Sequence, residues 1–264
     1  MVGWVKTLLR VYATISLAFI FAPLLSLALM SFHAGSVPAF PVSHYSIRWY
    51  IYAWNNEDFR QGAITSLEIA TTTSLFSTIL ALSGAYFLCR RWEGTPLPPF
   101  ILLSLPCLIP PILSGLAILM YYERIRLTGG WVGIVLAHTC YCSPFALAVI
   151  RPAYQRLNIE MELAASNLGA TSTGVMRHVV IPQLWPALIT ASLIGFLVSW
   201  DEFYIAWFVG GFTKTLPTVI YGMLVTSANP SLNVVGLSAT FVSSVFLIAA
   251  LTTVNIFAPS PVTG

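Results

Sequence analysis

The chain has 264 residues, of which 57% are hydrophobic and 8% charged, and its 12 basic and 9 acidic side chains leave a formal net charge of +3. A soluble domain carries about 25% charged residues, so this chain lacks the charge to cover a water-facing surface, and a disordered chain would be more polar still. The mean hydropathy of +0.83 makes lipid the solvent for much of the surface, and the small, dispersed charge excludes a nucleic-acid partner.

Apolar segments of about 20 residues suffice to span a bilayer as helices. Six are predicted, over 11–32, 63–89, 100–120, 132–152, 186–209 and 234–258. The first follows Lys6 and Arg10, as a signal peptide would, but its apolar run is too long for one and it opens a series of spans. It is read as an uncleaved first helix. With the N-terminus inside, Lys6, Arg10, Arg90, Arg91, Arg151, Arg156 and Arg177 face the cytoplasm, and Arg48, Arg60, Arg124, Arg126 and Lys214 lie outside. The Arg90-Arg91 pair directly after the second span is the stronger local signal. Both termini are then cytoplasmic.

The outer connection 33–62 carries Trp49, Tyr50, Tyr52 and Trp54, which suit a short helix at the lipid–water boundary. Pro106, Pro110 and Pro111 interrupt the third span, where each removes a backbone hydrogen bond that neighbours must compensate. His138, Cys140 and Cys142 are read as packing residues rather than a metal site, since a zinc site needs about four ligands. Cys89 and Cys107 complete the cysteines, and no disulfide framework is visible. A last outer connection is predicted over 210–233.

The inner connection 153–185 is the longest one on that side. Residues 159–168 read as a helix, with apolar positions at 161, 164, 165 and 168. Gly169 follows and can end it in a left-handed turn. Thr171 can cap a second short helix over 172–180, and Pro182 and Pro186 mark the return to the membrane. The result is a cytoplasmic helix–turn–helix, with the small residues Ala164 and Ala165 placed for close approach by a partner. A merely solvated loop is the plainer alternative.

This segment resembles the coupling motif of permease subunits in bacterial binding-protein-dependent ABC importers, E-A-A-x(3)-G-x(9)-I-x-L-P. Ala164, Ala165, Gly169 and Pro182 match it, Val179 and Ile181 are conservative changes, Leu163 takes the glutamate position, and Glu162 lies one place earlier. Tyr45-Ser-Ile-Arg-Trp-Tyr, with Thr65-Ser-Leu-x-Ile-Ala after it, resembles the entry to the second span in these permeases, and Ser199-Trp-Asp-Glu-Phe, Phe208-Val-Gly-Gly, Thr215-Leu-Pro and Asn229-Pro-Ser-Leu-Asn are similar to the second permease of spermidine/putrescine-type systems. The resemblance implies an all-α integral membrane protein: one domain over 1–264, six transmembrane helices and a cytoplasmic helix–turn–helix coupling loop over about 153–185. It implies an inner-membrane permease that is not itself an enzyme and holds no cofactor. Its expected partners are two copies of an ATPase that bind ATP and Mg, a second and different permease, and a periplasmic solute-binding protein. ATPase coupling is expected at Glu162, Leu163, Ala164, Ala165, Gly169 and Pro182.

Ionisable groups inside a membrane are costly, so each prompts a functional hypothesis. On the predicted helices, Asp201, Glu202 and Glu68 all lie roughly 8 Å below the outer surface. Trp200, Phe203, Tyr204 and Trp207 flank the first two. Carboxylates beside aromatic faces suit an ammonium or guanidinium group, so Asp201, Glu202, Glu68, Trp200 and Tyr204 are the candidate substrate pathway for a polyamine or a related opine-like or amino-acid-like solute. Pairing of the carboxylates with an arginine or a partner permease is the structural alternative. No P-loop, H-E-x-x-H or G-x-S-x-G is present, and the alternative transport reading is a self-contained secondary transporter.

Overall fold

The computed structural model describes residues 3–36, 42, 44–226 and 229–257, with side chains through 253. The predicted positions of both chain ends, and the close of the sixth span at 258, lie outside them. The described residues form helices α1 (Gly3–Ser31), α2 (Arg48–Asn55), α3 (Glu57–Tyr86), α4 (Leu97–Leu108), α5 (Pro111–Arg124) and α6 (Trp131–Gln155). These are followed by α7 (Ile159–Asn167), α8 (Ser172–Val175), α9 (Ile181–Trp200), α10 (Tyr204–Val209), α11 (Leu216–Thr226) and α12 (Ser231–Phe257). Two π turns extend helices, Phe87–Arg91 after α3 and Met176–Val180 between α8 and α9. Among the described residues the β contact recorded is an isolated bridge between His33 and Tyr45.

Among the described residues, five helical stretches are long and apolar enough to cross a membrane: Gly3–Ser31, Glu57–Arg91, Trp131–Gln155, Ser172–Trp200 and Ser231–Thr253. A sixth crossing results if the bent pair α4 and α5 counts as one span. The predicted third span divides into α4 and α5, bent by 96° at Ile109–Pro110. Two prolines in succession explain the break: Pro111 clashes with a continuing helix, and Pro110 holds the extended backbone that precedes a proline. The predicted outer connection 210–233 also contains structure, the short apolar helix α11.

The chain falls into two compact units, Met1–Gly62 with Thr218–Val242, and Ala63–Pro217 with Ser243–Gly264. In the first, α1 presents apolar side chains outward along its length; Phe19 is 80% exposed. Helix α2 is amphipathic, as its aromatic spacing predicts: Trp49 donates through Nε1 to the Gly35 carbonyl (3.2 Å), Arg48 lies 4.5 Å over its ring, and Tyr50 shares a 2.7 Å hydrogen bond with Ser31. Asn56 starts α3 by accepting the Phe59 N–H (3.1 Å), with Glu57 and Asp58 in the first turn where the helix dipole favours acids.

The second unit holds two apolar cores. One gathers Ala85 and Leu88 of the second span, Ile150 and Tyr154 of α6, and Val175, Val180 and Leu184 of the α8–α9 stretch. The other gathers Tyr122 of α5, Ile134 and Val135 of α6, and Ile205, Ala206 and Val209 of α10. Gly115 lets α5 meet α10 closely: a Cβ there would lie 2.9 Å from Phe208 Cδ2 and 3.1 Å from the Tyr204 carbonyl oxygen.

Candidate functional site

The coupling segment follows its local chemistry. Asn158 caps α7 through Oδ1 on the Glu160 N–H (2.9 Å), and Glu160 and Glu162 occupy the first turn. Gly169 stands at φ +90°. Its N–H reaches the Ser166 carbonyl (2.9 Å) and the Ala170 N–H reaches back to Ala165 (3.1 Å), the paired closure of a Schellman turn. Thr171 caps α8 on the Gly174 N–H (3.2 Å). The predicted second short helix over 172–180 is corrected: helical structure continues without a break from Ser172 to Trp200. The π turn explains how. The Ile181 N–H bonds the Met176 carbonyl, which shifts the ladder just before Pro182, at the start of α9, would remove a donor.

Side-chain directions on α7 divide the predicted coupling residues. Ala164 is exposed, whereas Ala165 packs against the chain's own core, which corrects its placement beside Ala164 toward a partner. Glu162, three residues from Ala165 on the same face, also points inward. Its Oε1 accepts from Arg90 Nη2 (2.7 Å) and Nε (3.0 Å). Leu163, at the motif's glutamate position, is rotated away by about 100° and is 55% exposed. Ile159, Met161 and Leu168 are exposed with it, Leu168 at 90%. The acid at 162 therefore meets the chain's own arginine, and position 163 offers an apolar side chain.

The predicted fifth span, 186–209, is also corrected. Helix α9 ends at Trp200, and α10 begins anew at Tyr204, so Asp201 and Glu202 sit in a break instead of on a helix. Glu202 is buried, and its carboxylate starts α10: Oε1 accepts the Tyr204 N–H (3.1 Å), and Oε2 accepts those of Ile205 (2.8 Å) and Ala206 (3.3 Å). His138, also buried, brings Nε2 to 3.5 Å from Glu202 Oε2, and its Nδ1 shares a 2.8 Å hydrogen bond with Ser199 Oγ. Trp200 is buried, stacked on Phe196 with centroids 6.0 Å apart. Of the candidate pathway residues, Glu202 and Trp200 are thus packed in the interior of this chain. Asp201, Tyr204 and Glu68 are exposed, and Asp201 accepts from Ser243 Oγ (3.2 Å).

The sequence reading missed Arg90, Ser199, Ser243 and His138 as members of these clusters. Arg90 was legible as a basic flank of a span, but its pairing with a residue 72 positions away was not. Of the proposed packing trio, Cys142 is buried and Cys140 exposed, and His138 is engaged with Ser199 and Glu202.

Comparison with known proteins supplies the family. Residues 98–261 match the binding-protein-dependent transport system inner membrane component. The chain belongs to this family. It is a multi-pass inner-membrane permease subunit of an ABC importer. The putrescine transport system permease protein PotI of Escherichia coli K12 is 29% identical over 224 residues, 81% of this chain and 79% of the relative. The spermidine/putrescine transport system permease protein PotC of the same organism is 24% identical over 241 residues, 90% of each chain. Among solved structures, a chain of a bacterial ABC transporter involved in alginate import superposes with a TM-score of 0.70, 17% identity and 96% coverage of both chains. A chain of the inward-facing MetNI methionine ABC transporter gives a TM-score of 0.61 and 16% identity, covering 76% of this permease and 96% of that chain. The two likenesses establish the fold of the permease.

Proposed function

We propose that this permease acts as one membrane domain that carries a small amine-bearing solute, a polyamine or a related opine-like or amino-acid-like compound, from periplasm to cytoplasm. Two copies of a separate ATPase bind ATP and Mg, and residues 159–182 form this chain's ATPase contact at the cytoplasmic face. Both termini lie on that side. A second, different permease completes the pathway, and a periplasmic binding protein delivers the solute. Closure of the ATPases swings the permeases between inward-facing and outward-facing arrangements.

The observation that carries this reading is the α7 segment. Each end is fixed by its own cap, and Met161, Leu163 and Leu168 project apolar side chains outward. Such a capped, apolar projection suits burial against a protein partner. The solute class rests on the relatives that are putrescine and spermidine/putrescine permeases, and on Asp201 and Tyr204, an exposed carboxylate and aromatic ring flanking one helix break. Asp201, with Tyr204 and Glu68, forms the acidic and aromatic part of the pathway, and Glu202 and Trp200 hold its wall in shape.

The test is purification of the tagged chain with its importer, together with uptake of labelled putrescine into vesicles. ATPase retained on the tagged chain and ATP-dependent uptake support the reading. Uptake by the isolated chain without an ATPase overturns it.

A further inference from the structure

Arg90 and Glu162 form an ion pair whose side chains are 12% and 13% exposed. Both the Nε and the Nη2 of Arg90 converge on one carboxylate oxygen. Nη2 also reaches the Leu157 carbonyl (3.4 Å), Nη1 the Cys89 carbonyl (3.3 Å), and the guanidinium lies 5.0 Å from the ring centroid of Tyr154. Tyr154 is fully buried in the core that joins α6 to the second span. One guanidinium therefore ties three pieces together: the π turn that ends the second span, the end of α6, and the first turn of α7. A planar, forked cation is needed for this arrangement, and a lysine at 90 would keep the charge and lose the fork. The neighbouring Arg91 turns elsewhere, donating to Tyr86 Oη (3.0 Å).

We propose that Arg90 is a positioning residue for transport: by clamping Glu162 it makes α7 move as one body with the second span and α6, so that displacement of the coupling helix reaches the spans instead of being absorbed at the Leu157–Asn158 junction. This rests on the importer reading above. Helix α7 has nine residues, enters through an extended Asn158 and leaves through a left-handed Gly169. Each cap closes the helix, and the backbone changes direction beyond it. Helix α7 also packs on α8 and the π turn that follows it, and the Arg90–Glu162 pair is the directional contact that joins its inner face to the second span.

The decisive variant is the double change Arg90→Met with Glu162→Leu in the assembled importer. Removing one partner would strand a buried charge and destabilise the fold, whereas replacing both with apolar residues of similar size is often neutral. Three quantities are measured: the melting temperature of the complex, ATPase co-purification, and labelled putrescine imported per ATP hydrolysed. The expected result is an unchanged melting temperature and ATPase yield, with import per ATP falling about tenfold, within the usual range of inter-site coupling. Arg90→Lys should fall between wild type and Arg90→Gln in import per ATP. Wild-type import per ATP in the double variant overturns the proposal. So does loss of ATPase co-purification or a collapsed melting temperature in the double variant, because the pair would then build the docking surface or the fold instead of transmitting motion. A wild-type chain that retains no ATPase removes the importer reading itself and is recognised before any variant is compared.

Discussion

Glu202 and Asp201 are adjacent acids, and the structure predicts opposite consequences for removing them. Replacing Glu202 by alanine deletes the acceptor for three backbone N–H groups, two of them on the buried residues Ile205 and Ala206. Each hydrogen bond to a charged group contributes roughly 1.5–3 kcal/mol net, and each buried donor left unpaired costs roughly 1–3 kcal/mol. Allowing for water entering the space vacated, Glu202→Ala should cost about 3–6 kcal/mol. At the usual sensitivity for a chain of this size, that lowers the melting temperature on the order of 10 °C. Glu202→Gln keeps one oxygen but turns an amide NH2 toward backbone donors, so it should lose roughly half as much. Asp201→Asn removes one charge from an exposed side chain whose hydroxyl donor, Ser243, can still bond the amide oxygen. Its stability cost should stay below about 0.5 kcal/mol.

The assay is thermal unfolding of the purified importer in detergent, followed by the monodisperse fraction after heating, with labelled putrescine uptake measured on the same preparations. The expected pattern is a destabilised Glu202→Ala and a stable Asp201→Asn with reduced uptake. A Glu202→Ala importer that melts with wild type but fails to transport would refute the capping argument and return Glu202 to the pathway.

The remaining predictions concern packing and docking. Gly169→Val places a β-branched residue at φ +90° with no neighbour within 4 Å to strain; the left-handed penalty of roughly 1–2 kcal/mol should fray the end of α7, seen as reduced ATPase co-purification with the melting temperature preserved. Leu168→Glu, at a side chain 90% exposed, should leave the fold untouched and weaken ATPase retention, read by quantitative pull-down. Gly115→Val forces Phe208 and the Tyr204 carbonyl apart and should cost roughly 1–3 kcal/mol by overpacking, measured as a lower melting temperature and yield.

What the sequence revealed divides by the range of the physics involved. Gly169 as a left-handed terminus and Thr171 as a cap were both readable, because capping is decided within four residues of chain. The length and apolarity of the spans were readable because hydrocarbon admits little else. The breaks were harder to place. Hydropathy averages over a window, and 186–209 is mostly apolar with Asp201 and Glu202 as its charged residues, so a helix ending at Trp200 and a new one starting at Tyr204 look like one span. The direction of Ala165 was missed for a related reason. The apolar positions 161, 164, 165 and 168 suggest one face, but Ala165 shares the inward side with Glu162, which pairs with Arg90. That pairing depends on a residue 72 positions away, and no local pattern encodes it.

The two helix breaks in the second unit solve one problem by different chemistry. A helix that begins inside a membrane exposes N–H groups that lipid cannot satisfy. Helix α5 begins with Pro110 and Pro111, which have no N–H to leave unpaired, and the Pro110 carbonyl accepts from Leu113 (2.9 Å) and Ser114 (3.1 Å). The start is made by removing donors. Helix α10 keeps its donors and brings an acceptor: Glu202 takes the N–H groups of Tyr204, Ile205 and Ala206, and Trp207 donates to the Phe203 carbonyl (2.8 Å). A buried carboxylate needs a compensating neighbour, and His138 stands at 3.5 Å with Ser199 fixing its other nitrogen. The two starts then pack on each other, with Gly115 of α5 against the backbone of Tyr204 and Ile205. A proline break is fixed by covalent geometry, whereas a carboxylate cap can be withdrawn by rotating one side chain. If the permease rearranges along this interface during transport, the α9–α10 break is therefore the side that yields, and His138→Gln, which weakens the support of Glu202 while leaving the cap in place, should alter import per ATP more than Pro110→Ala does. Equal effects of the two changes, or a larger one at Pro110, would show that the hinge lies at the prolines.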